Sequence, residues 1–294
     1  MTTQSNLRGP FGITTIQEYE SNQQALNFIF PDLNAEEFAA TRAFADSRFV
    51  DPNNGLPRMS YHSTILRTPQ GTILVDTCVG AHKERPLIAE WHLQEYPYLE
   101  RLQQAGLTPD DIDFVCCTHL HGDHVGWNTR LEHGRWVPTF PNARYLIAAP
   151  EYDYWEQFHG NNPDHIFRQS WDDSVLPVIT AGQVDKISCD HEIVSGVQLQ
   201  HAPGHSLGNV VISVDDGKAR ALLTGDVLHH PVQIERPDWC TFFDDDSQLA
   251  MQTRLKTLAD IADTDTVMFA AHFGGATPLL IESAPEYYRY KDAG

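Results

Sequence analysis

Apolar residues in this chain come in short runs that stop abruptly at polar ones. The run "IDFVCCTH" (112–119) is apolar from Phe114 to Cys117, which suits a strand buried on both faces. "RYLIAAP", "VQLQHAP", "NVVISVDD", "RALLTGD" and "TVMFAAH" follow the same pattern and read as further strands. "MSYHSTILRTPQGTILVDT" predicts two strands joined by a turn at Pro69-Gln70-Gly71. Three stretches carry helical signals: "NAEEFAATRAFADSRF" with Asn34 as N-cap, "WHLQEYPYLERLQQAG" ending at Gly106, and "DSQLAMQTRLKTLADIADT". The last repeats apolar side chains at Leu249, Leu255, Leu258 and Ile261.

Strands and helices alternate in the second half, while hairpins dominate the first half and middle. Layered sheets with helices outside are the expected architecture. No linker interrupts the pattern, so a single domain is expected over residues 1–294, with an N-terminal extension at 1–58 and an aromatic insertion at 150–175. Within the insertion, "PEYDYWEQFHGNNPDHIFRQSW" predicts a helix followed by a long excursion, the kind of segment that often carries function.

Composition narrows the class. The chain has 294 residues, 41% of them hydrophobic, and no apolar stretch of membrane-spanning length. The N-terminus lacks a basic segment followed by an apolar one, so a cytoplasmic location is expected. A formal net charge of -20 repels phosphate backbones and anionic lipid, which argues against nucleic acid and membrane as partners. The five cysteines are odd in number and show no C-x-x-C spacing; reduced thiols are expected.

The chemistry concentrates at "THLHGDH" (118–124). In extended chain His119 and His121 share a face and can converge on one point. Asp123 and His124 follow where the chain turns, and can serve a neighbouring point. Taken singly, each has an ordinary reading: a packed histidine, or an aspartate capping a helix. Four such residues within six positions are better read as metal ligands. Further candidates stand after other apolar runs: His205 in "APGHSLGN", Asp226 in "ALLTGDVLHH" and His272 in "TVMFAAHFGG". Their shared position after a run suggests one edge of one sandwich.

These segments, with "VDTCVG" at 75–80, "TGD" at 224–226 and "AAHFGG" at 270–275, resemble the metallo-β-lactamase fold superfamily in type and order. The resemblance implies an α/β, four-layer αββα sandwich with a dinuclear metal centre at one edge. His119, His121 and His205 would hold the first ion, Asp123, His124 and His272 the second, with Asp226 bridging. Asp76 would brace the histidine loop without ligating. Two divalent cations are implied, with zinc preferred and iron or manganese compatible with the same set. They would share a water and make it hydroxide near neutral pH, and Asp123 would shuttle a proton to the leaving group or act as a ligand only.

Within the superfamily, the full hydrolase ligand set disfavours lactamase activity, and too few residues follow His272 for the helical substrate domain of hydroxyacylglutathione hydrolases. What remains resembles the N-acyl-homoserine lactonase branch and related lactone, ester and organophosphate hydrolases. The expected substrate is a small lactone or ester, with a phosphotriester or thioester next. An iron-dependent redox enzyme and a non-catalytic metal scaffold are the readings outside hydrolysis. Tyr152, Tyr154, Trp155, Phe158 and Phe167 are candidates for an apolar pocket, against the alternative that they pack a helix. His62, His229 and His230 stand near the site by chain order. The apolar arm "ALNFIF" (25–30) offers a surface for a homodimer.

Overall fold

A computed structural model describes residues 2–4, 12–24, 26–161 and 168–293. The strands are β1 (Thr2–Gln4), β2 (Gly12–Ser21), β3 (Met59–Thr68), β4 (Gly71–Val75), β5 (Phe114–Cys117), β6 (Thr129–Glu132), β7 (Arg135–Pro138), β8 (Arg144–Ala148), β9 (Val184–Ile187), β10 (Glu192–Val194), β11 (Val197–His201), β12 (Val210–Asp215), β13 (Arg220–Leu223), β14 (Val267–Phe269), β15 (Leu279–Ser283) and β16 (Tyr288–Asp292). One seven-stranded sheet has the order β1-β2-β3-β4-β5-β8-β9 and a second runs β10 to β16 in sequence, with β6 and β7 forming a separate hairpin. The first sheet is antiparallel up to β4, then parallel through β5, β8 and β9. In the second, only β13 and β14 are parallel.

The period-2 alternation of each strand builds the layers. Ile73, Val75, Cys116, Leu146 and Ala148 of the first sheet share one cluster with Val210, Ile212, Ala221, Leu223 and Phe269 of the second. The alternate positions Leu74, Val115, Cys117, Tyr145, Val211, Leu222 and Met268 belong to a second cluster with helix residues. Those include Tyr98 and Leu102 of the helix Tyr98–Gln104, and Leu258 and Ile261 of the helix Ser247–Ile261. Neighbouring Cys116 and Cys117 therefore pack into different layers. This is the αββα arrangement, and it explains why the central strands read as unbroken apolar runs: both faces are covered. All five cysteines are free. Among the described residues no helix is long and apolar enough to cross a membrane.

Local details depart from expectation where a polar residue found a partner. The helix expected over 34–49 is two short ones, Ala35–Ala39 and Arg42–Ala45, because Thr41 caps the second through a bond from Phe44 N. Asn34 does cap the first, accepting from Glu36 N at 2.9 Å. The helix expected from Trp91 begins only at Tyr98, because Pro97 biases Tyr96 away from helical backbone. β2, unforeseen, lies in the stretch read as an N-terminal extension and pairs along the length of β3. Its buried residues include Thr14, Thr15 and Glu18, so no apolar alternation marked it. Glu18 accepts bonds from Val79 N, Gly80 N and Trp127 Nε1, and burial pushes its carboxyl up to about 7 against them.

Candidate metal centre

The parallel strands β4 and β5, and β13 and β14, end at one edge of the sandwich, where α/β sheets commonly bind ligands. β4 runs out just before Asp76, β5 just before Thr118–His124, β13 before Asp226 and β14 before His272; His205 lies between β11 and β12. His119, His121, His124, His205, Asp226 and His272 are all nearly fully buried, and Asp123 is half-buried.

The structure brings these seven residues together. Asp226 stands between two groups of them. Its Oδ1 lies 3.2 Å from both His124 Nε2 and His272 Nε2. Its Oδ2 lies 3.3 Å from His205 Nε2 and 3.9 Å from His119 Nε2. His121 Nδ1 is 3.0 Å from His205 Nε2, and Asp123 Oδ2 is 3.5 Å from His272 Nε2 and 3.8 Å from His124 Nε2. A tetrahedral zinc with bonds of roughly 2.0–2.1 Å spaces its ligating atoms about 3.3 Å apart, so these separations suit ions on either side of Asp226.

The far nitrogens are held. His124 Nδ1 donates to Asp76 Oδ2 at 2.9 Å. Asp76, itself at φ 55°, also accepts from Thr118 N at 2.8 Å and Thr118 Oγ1 at 2.9 Å, so one carboxylate fixes both ends of the histidine loop. His119 Nδ1 lies 3.1 Å from Thr118 Oγ1, whose own hydrogen is directed to Asp76. His272 Nδ1 donates to the Ser60 carbonyl at 3.2 Å. His205 Nδ1 lies 2.9 Å from Asp244 Oδ1.

The inward atoms are another matter. His119 Nε2, His124 Nε2 and Asp226 Oδ1 are buried with no hydrogen-bond partner. Unsatisfied buried polar atoms cost free energy, and three of them around one point fit a cation that would occupy it. Four groups of three residues, drawn from these seven and His229, have ligating atoms within 4.8 Å of one another. Electrostatics agree. Burial, then the neighbouring His124, pushes His119 far below the usual histidine range, and burial with His205 does the same to His121. For His124 burial acts in the same sense, but Asp226, Asp76 and Asp123 outweigh it and favour a positive charge there. Burial would raise Asp226, yet His124, His272 and His229 hold it well below the carboxylate range. Against burial, Asp226 likewise draws positive charge to His205 and His272, so carboxylates favour a cation at this cluster, and divalent ions bound there would take the place of those protons. The nitrogen and oxygen ligands suit zinc, iron or manganese alike.

Asp244 was not foreseen. It sits in "FFDDDSQ" beside Asp245 and Asp246, and only packing tells them apart: Asp246 caps the helix Ser247–Ile261 through Leu249 N, while the Asp244 side chain is wholly buried against His205. Its other oxygen accepts from Thr241 N at 3.0 Å and faces the buried Arg254 guanidinium at 3.7 Å. Asp244→Asn is expected to weaken the ion on the His205 side by roughly 10–100-fold, as other braces of ligating histidines do. Competition against a chromophoric chelator would measure it, and unchanged affinity would rule the brace out.

Above the cluster opens a narrow cleft. Its apolar wall is Ile29, Met59, Tyr61, Ile88, Trp91 and Phe243, drawn from four distant segments that no sequence pattern connects. The aromatic candidates of the insertion do not line it: Tyr152 and Trp155 are buried in the core, and Tyr154 and Phe158 pack against it. Phe167 lies outside the described residues. His229 does line the cleft, its Nε2 3.1 Å from Asp226 Oδ2. His230 turns away to donate to the Phe49 carbonyl, and burial pushes it down to about 4. His62 is buried behind the site against Ser60 Oγ, and burial pushes it down to about 3. In the arm at 25–30, Phe28 is exposed and Phe30 buried, while Ala25 lies outside the described residues.

Comparison with known proteins agrees with this geometry. Residues 56–272 match the family model described as the metallo-beta-lactamase superfamily. An N-acyl homoserine lactonase of Bacillus cereus is 26% identical over 221 residues, covering 71% of this chain and 79% of that protein. A probable metallo-hydrolase of Mycobacterium tuberculosis is 25% identical over 189 residues, covering 58% of this chain and 57% of its own. Among solved structures, AidC, described as a dizinc quorum-quenching lactonase in complex with a product, superposes with a TM-score of 0.80 at 21% identity, covering 100% of this chain and 97% of that one. AbOPH, a hydrolase in the beta lactamase superfamily, superposes with a TM-score of 0.79 at 20% identity, covering 99% and 96%.

Proposed function

The chain belongs to the metallo-beta-lactamase superfamily, and from that membership we propose that it is a dinuclear metal-dependent hydrolase opening small neutral lactones. The observation that carries this reading is Asp226, placed between two sets of ligating atoms at the floor of an apolar cleft. His119, His121 and His205 would hold one ion, Asp123, His124 and His272 the other, and Asp226 both. A pair of divalent cations held there would supply an activated water as nucleophile and would polarise the ester carbonyl.

The protein's own residues do the rest. Asp76, Asp244, Thr118 and the Ser60 carbonyl hold the imidazoles so that their inward nitrogens stay fixed through turnover. Asp123, which lines the cleft with its side chain 11% exposed, would carry a proton to the leaving alkoxide oxygen. The wall of Ile29, Met59, Ile88, Trp91 and Phe243 excludes water and takes an apolar acyl group. Among the described residues no lysine or arginine lines the cleft, which favours an uncharged substrate over an anionic one. Lactonase relatives at 26% identity support the choice of substrate.

A pH-stat screen of the zinc-loaded protein against lactones, aryl esters, phosphotriesters and thioesters tests the reading. Acid release from lactones is the expected outcome; turnover of phosphotriesters or thioesters without lactones overturns the substrate, and silence on all four overturns the hydrolase. Phe243→Ala should raise KM about tenfold for lactones bearing long acyl chains, with kcat nearly unchanged, since burial of one aromatic ring against the chain is worth about 1.5–3 kcal/mol. Equal effects on short and long chains would place Phe243 outside the acyl path.

A further inference from the structure

Glu151 opens the helix Ala149–Asn161, immediately after β8, and is fully buried. Oε1 accepts hydrogen bonds from Leu120 N at 2.9 Å and Trp155 Nε1 at 2.8 Å. Oε2 accepts from Ser206 Oγ at 2.8 Å and Gly208 N at 2.9 Å. Leu120 stands between His119 and His121, and Ser206 follows His205. One carboxylate thus ties together two loops that leave different sheets, and its four acceptor directions are all used.

None of these partners is a cation. Burial pushes the Glu151 carboxyl upward against the pull of its four hydrogen bonds. An apolar contact would join the two loops without burying a carboxylate. The approach is also close: a Cβ at Gly208 would stand 2.2 Å from the Glu151 backbone nitrogen and 2.6 Å from its Cβ, so the His205 loop is seated directly on this residue.

We propose that Glu151 is a positioning residue that sets the His119–His121 pair against His205, and thereby governs the affinity of one ion of the pair while leaving the other alone. The proposal rests on the dinuclear reading of the cluster. What Glu151 fixes is the 3.0 Å approach of His121 Nδ1 to His205 Nε2. The other half has its own anchors, Asp76 on His124 and the Ser60 carbonyl on His272, neither of which touches Glu151.

Glu151→Gln isolates the effect. It keeps the shape but turns one acceptor oxygen into an NH2 donor. Facing Leu120 N and Trp155 Nε1, that group would oppose two donors. Facing the other way, Ser206 can rotate its hydroxyl to accept, and only Gly208 N–H is left unpaired. The second orientation costs less, so the His205 loop is the one released.

The test is titration of the metal-free full chain with zinc under chelator buffering, followed by cobalt substitution and visible absorption. Wild-type protein is expected to bind two ions per chain. E151Q is expected to bind one with unchanged affinity and the other 10–100-fold more weakly, with cobalt bands of the remaining site preserved. Retention of both ions at wild-type affinity, or equal weakening of both with a lowered melting temperature, would overturn the proposal, because a merely structural prop acts on both. If E151Q does not fold, Ser206→Ala decides: it removes one hydrogen bond, and a several-fold loss confined to one ion is expected, whereas no loss or an equal loss overturns the idea. The titration uses no substrate. A wild-type chain binding fewer than two ions would fail the dinuclear reading, and two normal ions in the variants would fail the role of Glu151.

Discussion

Asp226→Asn is expected to empty both halves of the metal centre at once and reduce turnover at least about 1,000-fold, some 4 kcal/mol of transition-state stabilisation. The reason lies in the two faces of one carboxylate. Oδ1 faces His124, Oδ2 faces His205 and His119, and His272 Nε2 stands 3.2 Å from each oxygen. An asparagine keeps the shape but offers one weak oxygen and an amide nitrogen that does not ligate, and it removes the negative charge around which the imidazoles gather. Metal analysis of the purified variant should fall from two ions per chain to fewer than one, together with activity. Two retained ions, or full turnover without them, would refute the bridging role.

The second large effect is expected at a glycine that ligates nothing, two residues after His124. Gly126→Ala would place a Cβ 1.9 Å from the Val79 carbonyl oxygen and 2.4 Å from Gly80 N, both backbone atoms with no rotamer to yield. The contact is tight because Gly126 N donates to Cys78 O at 2.7 Å and Trp127 N to Thr77 O at 2.8 Å, while Thr77 N donates to His124 O at 2.7 Å. These bonds lay the 76–80 loop on the short helix Gly122–Val125 and carry Asp76 to His124. Overpacking against backbone is expected to cost about 3 kcal/mol or more, roughly 10 °C in melting temperature for a chain of this size, and to loosen the metal centre with it. Gly12→Ala, which meets nothing within 4 Å and has ordinary backbone, is the control and should stay within about 0.5 kcal/mol. A G126A protein melting with wild type would show that this loop can shift freely.

Much of the architecture was legible in the sequence because burial on two faces writes a simple signature. The runs ending at Cys117, Leu223 and Phe269 are strands as read, and the chemistry stands at their ends. β2 was not legible, since Glu18, Thr14 and Thr15 are buried there with partners the sequence does not announce. The aromatic residues of the insertion were open to two readings, pocket or helix packing, and the described ones pack in or against the core, because a helix beside a sheet buries its aromatics whether or not a ligand is present. The braces Asp244 and Glu151 left no signal: each is one acidic residue among several near it in the chain, distinguished only by what packs on it.

By itself the sequence determined the strand layers and which residue types could serve a pair of cations, because periodicity and ligand chemistry are local properties of the chain. Only the tertiary structure decided that Asp226 faces two groups of imidazoles, that Glu151 and Asp244 hold the His205 loop, and that Ile29, Ile88 and Phe243 wall the cleft. Those facts are distances between segments up to two hundred residues apart. They follow from how two sheets close on one another, which no single stretch encodes.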